Sequence, residues 1–117
     1  DLITKVGENI ESRWKKLGAK YQIKIKVSGL PSMIGFTISS KSWMKYKTFI
    51  TQEMLKNNIL ASNVIYVCTE HGKLEIENYF QVLDPIFKII SSCENDGMSI
   101  DSLLDGSISH AGFKRLN

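Results

Sequence analysis

Two stretches in which apolar and polar residues alternate, joined by a short turn-forming segment, constrain the fold of this chain most strongly. In the first stretch, Lys24 and Lys26 occupy the positions between apolar residues. The apolar positions of the two stretches are Ile23, Ile25 and Val27, then Ile34, Phe36 and Ile38. A period of two places alternate side chains on opposite faces of a strand, so the pattern predicts two half-buried antiparallel β-strands.

The link between these strands is rich in residues that favour a turn. It spans residues 28–32 and includes Gly29 and Pro31. Proline disfavours the helical conformation in the residue before it, so we expect Leu30 to be extended. Gly35, inside the second strand, indicates either a β-bulge or the close approach of another backbone.

Amphipathic helical patterns elsewhere in the chain can cover the apolar face of this sheet. The first helix is predicted over residues 2–19, with Gly18 as its C-terminal stop. The second is predicted from about 46 to 57, ending at Asn57 and Asn58 because asparagine tolerates a left-handed backbone. The two apolar stripes are Ile3, Val6, Ile10, Trp14 and Leu17, and Tyr46, Phe49, Ile50 and Met54.

The third and strongest helical pattern begins near Lys73 and contains a proline. Its apolar residues, spaced by four, three, four and three, are Ile76, Phe80, Leu83, Phe87 and Ile90. Pro85 lies within the pattern, and an interior proline kinks a helix or costs about 3 kcal/mol. Because the stripe keeps its phase on both sides, we predict a kink beginning near Gln81. The alternative is a new helix with Asp84 as its N-cap.

The remaining segments complete a predicted α-β-β-α-β-α-α order. The β-branched, apolar residues 59–68 predict one short strand and then another at about 64–68. Residues 99–104 predict a short helix capped by Ser99, and residues 106–117 form a tail that is either docked or partly disordered. We therefore expect one α+β domain, residues 1–117, with a small, mostly antiparallel sheet of three to four strands covered by helices.

Composition argues against several classes of protein. The net charge is only +3 and the lysines are spread along the chain, which disfavours a nucleic-acid-binding face. No apolar run reaches the roughly 18 residues of a membrane span. Cys68 and Cys93 lack metal-ligand spacing and are typical of free thiols in a reducing compartment, so we expect a cytoplasmic protein. Because Asp1 already lies within a helical pattern, we expect the chain to be a piece of a longer polypeptide.

No group of residues in the sequence indicates a catalytic centre. The chain has two histidines, His71 and His110, and neither has a nucleophile at a recognisable spacing. Cys68 could pair with His71, although a buried strand cysteine explains it better. Asn63 and Tyr66 interrupt an apolar segment, where such residues either satisfy a local hydrogen bond or face a pocket.

Several segments, in order along almost the whole chain, together resemble a known family. They are Val27–Ser32, Phe49–Leu55, Leu60–Ser62, His71 and the ending His110–Leu116. The series resembles the C-terminal domain of class III aminotransferases, in the branch of glutamate-1-semialdehyde aminomutase and its aminotransferase relatives. The resemblance implies the small domain of a fold-type-I enzyme that uses pyridoxal 5'-phosphate (PLP).

In such an enzyme the large domain of the same polypeptide supplies the PLP-binding lysine, so the resemblance implies no catalytic, cofactor-binding or metal-binding residue in this chain. The parent would be a homodimeric aminotransferase or aminomutase acting on a small amine or carbonyl substrate, and the isolated chain would be inactive. An apolar face is expected where the large domain would lie, formed in part by Gly7, Trp14 and Phe113.

The resemblance also places the substrate contact on the strand after the second helix. Relatives carry an arginine there, or a glutamate in a Ser-x-x-Glu context, and aligning Ser62 with that serine puts Ile65 at the charged position. Isoleucine cannot bind a carboxylate, so we expect an amino acid, amino aldehyde or amino-sugar-type substrate other than glutamate-1-semialdehyde. Asn63, Ile65 and Tyr66 are the expected substrate-binding residues.

Two other functions are compatible with the same residues. The chain could be a stand-alone α+β binding module in which Lys24 and Lys26 meet an acidic ligand. It could also be a structural or regulatory domain whose parent has lost PLP chemistry.

Overall fold

Three helices pack on one face of a three-stranded antiparallel sheet whose strand order is β1-β2-β3. The computed structural model describes residues 2–30, 32–67 and 72–105. The elements are α1 (Leu2–Lys20), β1 (Ile25–Leu30), β2 (Met33–Ile38), α2 (Trp43–Lys56), β3 (Val64–Tyr66), α3 (Lys73–Asn95) and one 3-10 turn (Asp101–Leu103). The predicted order and the α+β class are confirmed, and the last short helix is a 3-10 turn.

Some sequence-based expectations lie outside the described residues. They concern Pro31, Cys68, His71, His110, Phe113 and the 106–117 tail as a whole.

The alternation in the first two strands has the predicted consequence. Ile34, Phe36 and Ile38 are buried against the helices, whereas Lys24 and Lys26 are exposed. Leu30 is extended, as expected, and pairs with Met33. The strand pairing is longer than predicted because residues 28–30 belong to β1 rather than to the turn.

Gly35 is needed because another backbone comes close, not because of a bulge. The pairing of β1 with β2 is continuous through Gly35, which excludes a bulge at this point. A Cβ atom at Gly35 would lie 3.1 Å from the Asn63 carbonyl oxygen and 3.1 Å from Cγ2 of Val64. Glycine therefore allows β3 to pair closely with β2.

Phe36 is the centre of the core and shows that all three helices share one face of the sheet. Its ring lies 5.0 Å from that of Trp14 in α1, 6.1 Å from that of Trp43 in α2 and 5.5 Å from that of Phe87 in α3, measured between centroids. Tilted and edge-to-face arrangements of this kind are the favoured aromatic geometries. We call the helix-covered side of the sheet the inner face and the opposite side the outer face.

The expectation that Gly7 and Trp14 contribute to an exposed apolar face is wrong. Both residues are buried within this chain, and Trp14 is completely inaccessible. Trp14 belongs to the same helical stripe as Ile10 and Leu17, and that stripe packs on the sheet and on α3. The apolar stripe around Trp14 is therefore covered by other parts of this chain.

Helix α1 also continues two residues beyond the stop predicted at Gly18. The chain then folds back, and the Ile23 N–H donates to the Gly18 carbonyl at 2.8 Å. A Cβ atom at Gly18 would lie 2.9 Å from the Ile23 carbonyl oxygen. Gly18 thus permits a close approach of β1, and the left-handed residue that ends the turn is Gln22, with a φ of 57°.

Helix α2 begins three residues before the predicted start. The Ser42 N–H donates to Oγ of Ser40 at 3.0 Å, which orders the entry to the helix. Trp43 then packs on Phe36, so tertiary contact extends the helix toward its N-terminus. The predicted C-terminal end is confirmed, with Asn58 in the left-handed region at a φ of 61°.

The first of the two short strands predicted over residues 59–68 is absent, and only Val64–Tyr66 forms a strand. The Ile59 N–H donates instead to the Met54 carbonyl at the end of α2. This capping bond holds the chain beside the helix, while Leu60 projects into solvent. The described sheet therefore has three strands.

Helix α3 runs through Pro85 without ending, so the alternative of a new helix capped by Asp84 is wrong. The buried residues Leu83 and Phe87 flank the proline, and their packing holds the helix in phase. Asp84 accepts hydrogen bonds from Lys20 and Tyr21. The Lys20 ammonium and the Tyr21 hydroxyl hold the pKa of the Asp84 carboxyl below its usual range. The bend near Gln81 stays a prediction.

Within the described ranges, no helix combines the length and the apolar character needed to cross a bilayer.

Candidate functional site

The outer face of the sheet is uncovered among the described residues and carries an apolar row at its hairpin end. Register places Leu30, Met33 and Tyr66 side by side on β1, β2 and β3. These residues are 68%, 42% and 72% exposed, respectively. Three neighbouring large side chains left in water form a patch of the kind that another surface usually covers.

The chemistry of the outer face changes along the strands. The next row, Ser28, Gly35 and Val64, is small and uncharged. Beyond it Lys26 pairs with Thr37, about 13 Å from Leu30 at roughly 3.3 Å per residue. The outer face therefore has an apolar end bearing one phenol and a basic end.

The three predicted substrate-binding residues do not converge on one surface. Tyr66 lies on the outer face, whereas Asn63 and Ile65 lie on the inner face and are buried. The period of two along β3 causes this separation, because Ile65 and Tyr66 are consecutive. Of the three, only Tyr66 exposes most of its side chain.

Asn63 satisfies a local hydrogen bond rather than presenting its amide to a ligand. Its side-chain amide donates to the Phe36 carbonyl at 3.0 Å, and its own carbonyl accepts the Phe36 N–H at 2.9 Å. The residue therefore ties β3 to the centre of β2. For Asn63, the sequence left open a local hydrogen bond or a position facing a pocket, and the structure shows the hydrogen bond.

A groove of about 540 Å³ lies where α1, β3, α3 and the segment after α2 meet. We call it the β3–α3 groove. It is lined by Ile10, Asn58, Ile59, Leu60, Ala61, Ile65, Glu75, Ile76, Asn78 and Tyr79. Its interior is mostly apolar, with the amides of Asn58 and Asn78 and the Glu75 carboxylate as polar groups. Ile65, predicted as a substrate contact, is part of this lining.

The phenol of Tyr79 is a structural hydrogen-bonding centre in the wall of the groove. It accepts the Trp14 indole N–H at 3.1 Å and donates to the Ser62 carbonyl. Burial raises the pKa of Tyr79 well above its usual range. The folded protein keeps this phenol neutral, whereas the unfolded chain ionises it near pH 10. The contribution of the neutral phenol to the free energy of unfolding is therefore complete below about pH 10 and is lost as the pH rises further.

Replacing Tyr79 with phenylalanine is expected to lower the free energy of unfolding by about 1–3 kcal/mol, since the buried Trp14 N–H and Ser62 carbonyl lose their partner. Urea denaturation followed by Trp fluorescence measures the change. Tyr66→Phe is the matched control, because its phenol is exposed, and should change stability by less than about 0.5 kcal/mol. Equal effects of the two substitutions would contradict the structural role of the Tyr79 hydroxyl.

Glu75 is occupied by the cap of α3. Its Oε1 accepts the Gly72 N–H at 3.0 Å, and its charge lies in the first turn of the helix. Glu75 is therefore held in place at the rim of the groove.

A second polar cluster, which the sequence did not indicate, joins α2 to α3. Tyr46 and Ser40 both donate to the Glu94 carboxylate. Burial, and then the hydrogen bond to Glu94, raise the pKa of Tyr46. The three residues are 54 positions apart at most, so no local spacing could reveal them. In the part of the chain that the structure describes, no group of His, Cys, Asp and Glu could hold a metal ion.

The fold and these surfaces define the class of the protein: an α+β domain with helices on one side of an antiparallel sheet and an outer face that no other described residue covers. Comparison of the chain with protein-family models, with curated proteins and with solved structures found no match.

Proposed function

We propose that this chain is the C-terminal small domain of a class III PLP-dependent aminotransferase or aminomutase. The observation that carries the proposal is the one-sided sheet. Its inner face is completed by three helices, and its outer face leaves Leu30, Met33 and Tyr66 exposed. A domain that lies against a larger domain of the same polypeptide needs such an open apolar surface.

The order of the resembling segments in the fold supports the proposal. The described parts of these segments lie in β1, in α2 and in the approach to β3. Phe49, Ile50 and Met54 of the second segment are core residues, so packing alone accounts for them. Ser28 and Leu30 of the first segment lie on the outer face, where packing within the chain does not require them. The match at these outer-face residues therefore supports a shared function more strongly than the match at the core residues of α2.

The described residues of this chain do not fit a PLP-binding role. A Schiff-base lysine is usually desolvated so that its amine becomes nucleophilic. Every lysine whose side chain is described is exposed, apart from Lys45, which is half-buried and paired with Asp101. The proposal therefore assigns the cofactor to the large domain, and no chemical step is assigned to this chain.

Tyr66 is the residue through which the domain would contact substrate. Its hydroxyl can donate to or accept from a hydroxyl or amine group and can donate to a carbonyl group. Leu30 and Met33 beside it are apolar, and Lys26 lies about 13 Å away along the strand. This end of the outer face suits an uncharged part of an amino-acid, amino-aldehyde or amino-sugar substrate better than a carboxylate.

The test uses the natural polypeptide that contains this chain, in whichever oligomeric state it is purified. Borohydride reduction followed by intact-mass measurement should add one reduced pyridoxyl phosphate per chain, on a lysine that precedes Asp1. In the same polypeptide, Tyr66→Phe should raise the KM by up to about tenfold, the equivalent of one hydrogen bond, and leave the adduct unchanged. Thr37→Val, at the opposite end of the outer face, is the control.

An unmodified mass after reduction would overturn the enzyme proposal. A parent that retains this domain without the lysine would then favour a structural or regulatory role.

A second candidate function is a binding module for an acidic ligand. It is favoured by two exposed lysines, Lys24 just before β1 and Lys26 within it, while the ion pairs found among the described residues use other lysines. Binding of a polyanion that weakens steeply with salt and is abolished by Lys24→Gln with Lys26→Gln would support it. Salt-independent binding would count against it.

A further inference from the structure

We propose that the free edge of β1 binds an extended peptide in which acidic and apolar residues alternate, as a further antiparallel strand of the sheet. The proposal is independent of the enzyme assignment. It rests on the second candidate function and specifies the backbone conformation and the register in which the acidic ligand binds.

The backbone of β1 offers hydrogen-bonding groups on the side that faces away from β2. The Ser39 N–H donates to the Lys24 carbonyl at 2.9 Å, and the ladder continues with Lys26 opposite Thr37. Successive residues of an antiparallel ladder turn their N–H and C=O groups to opposite sides, so those of Ile25 and Val27 point away from β2. Because β1 is at the edge of the described sheet, these groups have no strand there to pair with.

The side chains along this edge set the chemistry of the partner strand. Lys24 and Lys26 are exposed on the outer face, and the ion pairs found among the described residues use other lysines. Ile25 and Val27 lie on the inner face, where they pack against the core but stay only half-buried. A strand placed beside β1 would therefore meet cations on one face and uncovered apolar surface on the other.

An antiparallel strand meets both requirements when its residues alternate between carboxylate and apolar side chains. Directly opposite residues share a face of the sheet, so the apolar residues of the peptide would cover Ile25 and Val27 and exchange backbone hydrogen bonds with them. The residues opposite Lys24 and Lys26 would be acidic. These are the non-hydrogen-bonded pairs, in which the side chains come closest, with Cα atoms about 4.5 Å apart.

The same lysines disfavour a second copy of this chain as the added strand. A two-fold pairing within the strand that engages Ile25 and Val27 of both copies is centred on Lys26 or on Val27. The two Lys26 side chains would then lie directly opposite or diagonally across from each other, where like charges repel. Lysines on an edge strand commonly prevent self-pairing in this way, whereas an acidic strand is attracted by them.

Titration of the full 117-residue chain with a peptide, followed by amide NMR, tests the proposal. The probe has five residues, alternates glutamate with valine, begins and ends with glutamate, and is blocked at both ends. Its two valines fall opposite Val27 and Ile25. We expect saturable downfield shifts of the Ile25 and Val27 amide protons and slower exchange of both with solvent. The Lys26 amide, which faces β2, is the internal control and should shift much less.

N-methylated peptides separate strand addition from simple charge attraction. Methylation of both valine nitrogens removes the donors that face β1 and should weaken binding by about tenfold or more, since two hydrogen bonds are lost. Methylation of two glutamate nitrogens, which face away from β1, is the matched control and should change the affinity by less than about threefold. Lys24→Gln with Lys26→Gln should weaken binding of the unmethylated peptide by about fivefold at low salt, because two cross-strand charge pairs are lost.

Three results would overturn the proposal. The first is the absence of saturable shifts at Ile25 and Val27. The second is equal loss of affinity in both methylated peptides, which would show that neither edge of the peptide is preferred. The third is equal binding of all three peptides, which would leave charge attraction, and with it the second candidate function, without strand addition. PLP attachment in the parent is not a readout, so the enzyme proposal is tested separately.

Discussion

Replacing Phe36 with alanine is expected to lower the free energy of unfolding by about 3–5 kcal/mol, the range for large aromatic side chains in well-packed cores. Phe36 is 1% exposed and contacts the rings of Trp14, Trp43 and Phe87. One substitution therefore loosens the attachment of all three helices to the sheet. Because domains of this size are stable by only about 5–15 kcal/mol, the loss is a large part of the total.

Urea denaturation measures this effect, with Thr37→Ala as the matched control. Thr37 is the next residue of β2 and lies exposed on the outer face, so its truncation should change stability by no more than about 0.5 kcal/mol. Near-equal midpoints for the two variants would show that the core is not organised around Phe36.

Replacing Gly29 with alanine is expected to be the most disruptive change in the hairpin. Gly29 has a φ of 118°, and a Cβ atom there would lie 2.3 Å from the Met33 carbonyl oxygen and 3.1 Å from Cα of Ile34. Both obstacles are backbone atoms of the paired strand, so no side-chain rotation can relieve the clash. The unfavourable backbone alone costs about 1–3 kcal/mol, and the separation of β1 from β2 adds to that cost.

Gly97→Ala separates the cost of backbone conformation from the cost of the clash. Gly97 also has a positive φ, 81°, but nothing lies within 4 Å of a Cβ atom placed there. We expect a loss of about 1–2 kcal/mol, the penalty of the left-handed conformation alone. Thermal or urea unfolding of both variants gives the comparison. A Gly29→Ala variant no less stable than Gly97→Ala would contradict the close approach described for β1 and β2.

The candidate site could be predicted from the sequence only in part. Side chains alternate between the two faces of any β-strand. Ile65 and Tyr66 are consecutive in β3, so the sequence already implied that they face opposite sides of the sheet. The three positions were grouped by resemblance, which transfers positions along the sequence and not the faces on which their side chains lie. Trp14 is a second case, since its spacing from Ile10 and Leu17 already placed it in a buried stripe.

The β3–α3 groove had no signal in the sequence. Its lining joins Ile10 of α1, the turn after α2, Ile65 and the start of α3. These segments are far apart along the chain, and residues 59–61 were expected to form a strand that would have changed this region. The Ile59 N–H bond to Met54 decided the local structure, and it depends on how α2 ends.

Local patterns in the amino-acid sequence were sufficient for the class of the fold, the strand alternation and the buried stripes of the helices. Such patterns suffice because periods of two and 3.6 residues set which side chains share a face. Tertiary structure alone decided the close approach at Gly18, the choice between a bulge and a close approach at Gly35, and the open row of Leu30, Met33 and Tyr66. These features depend on contacts between segments distant in sequence, where the packing energy of the whole core outweighs local preference.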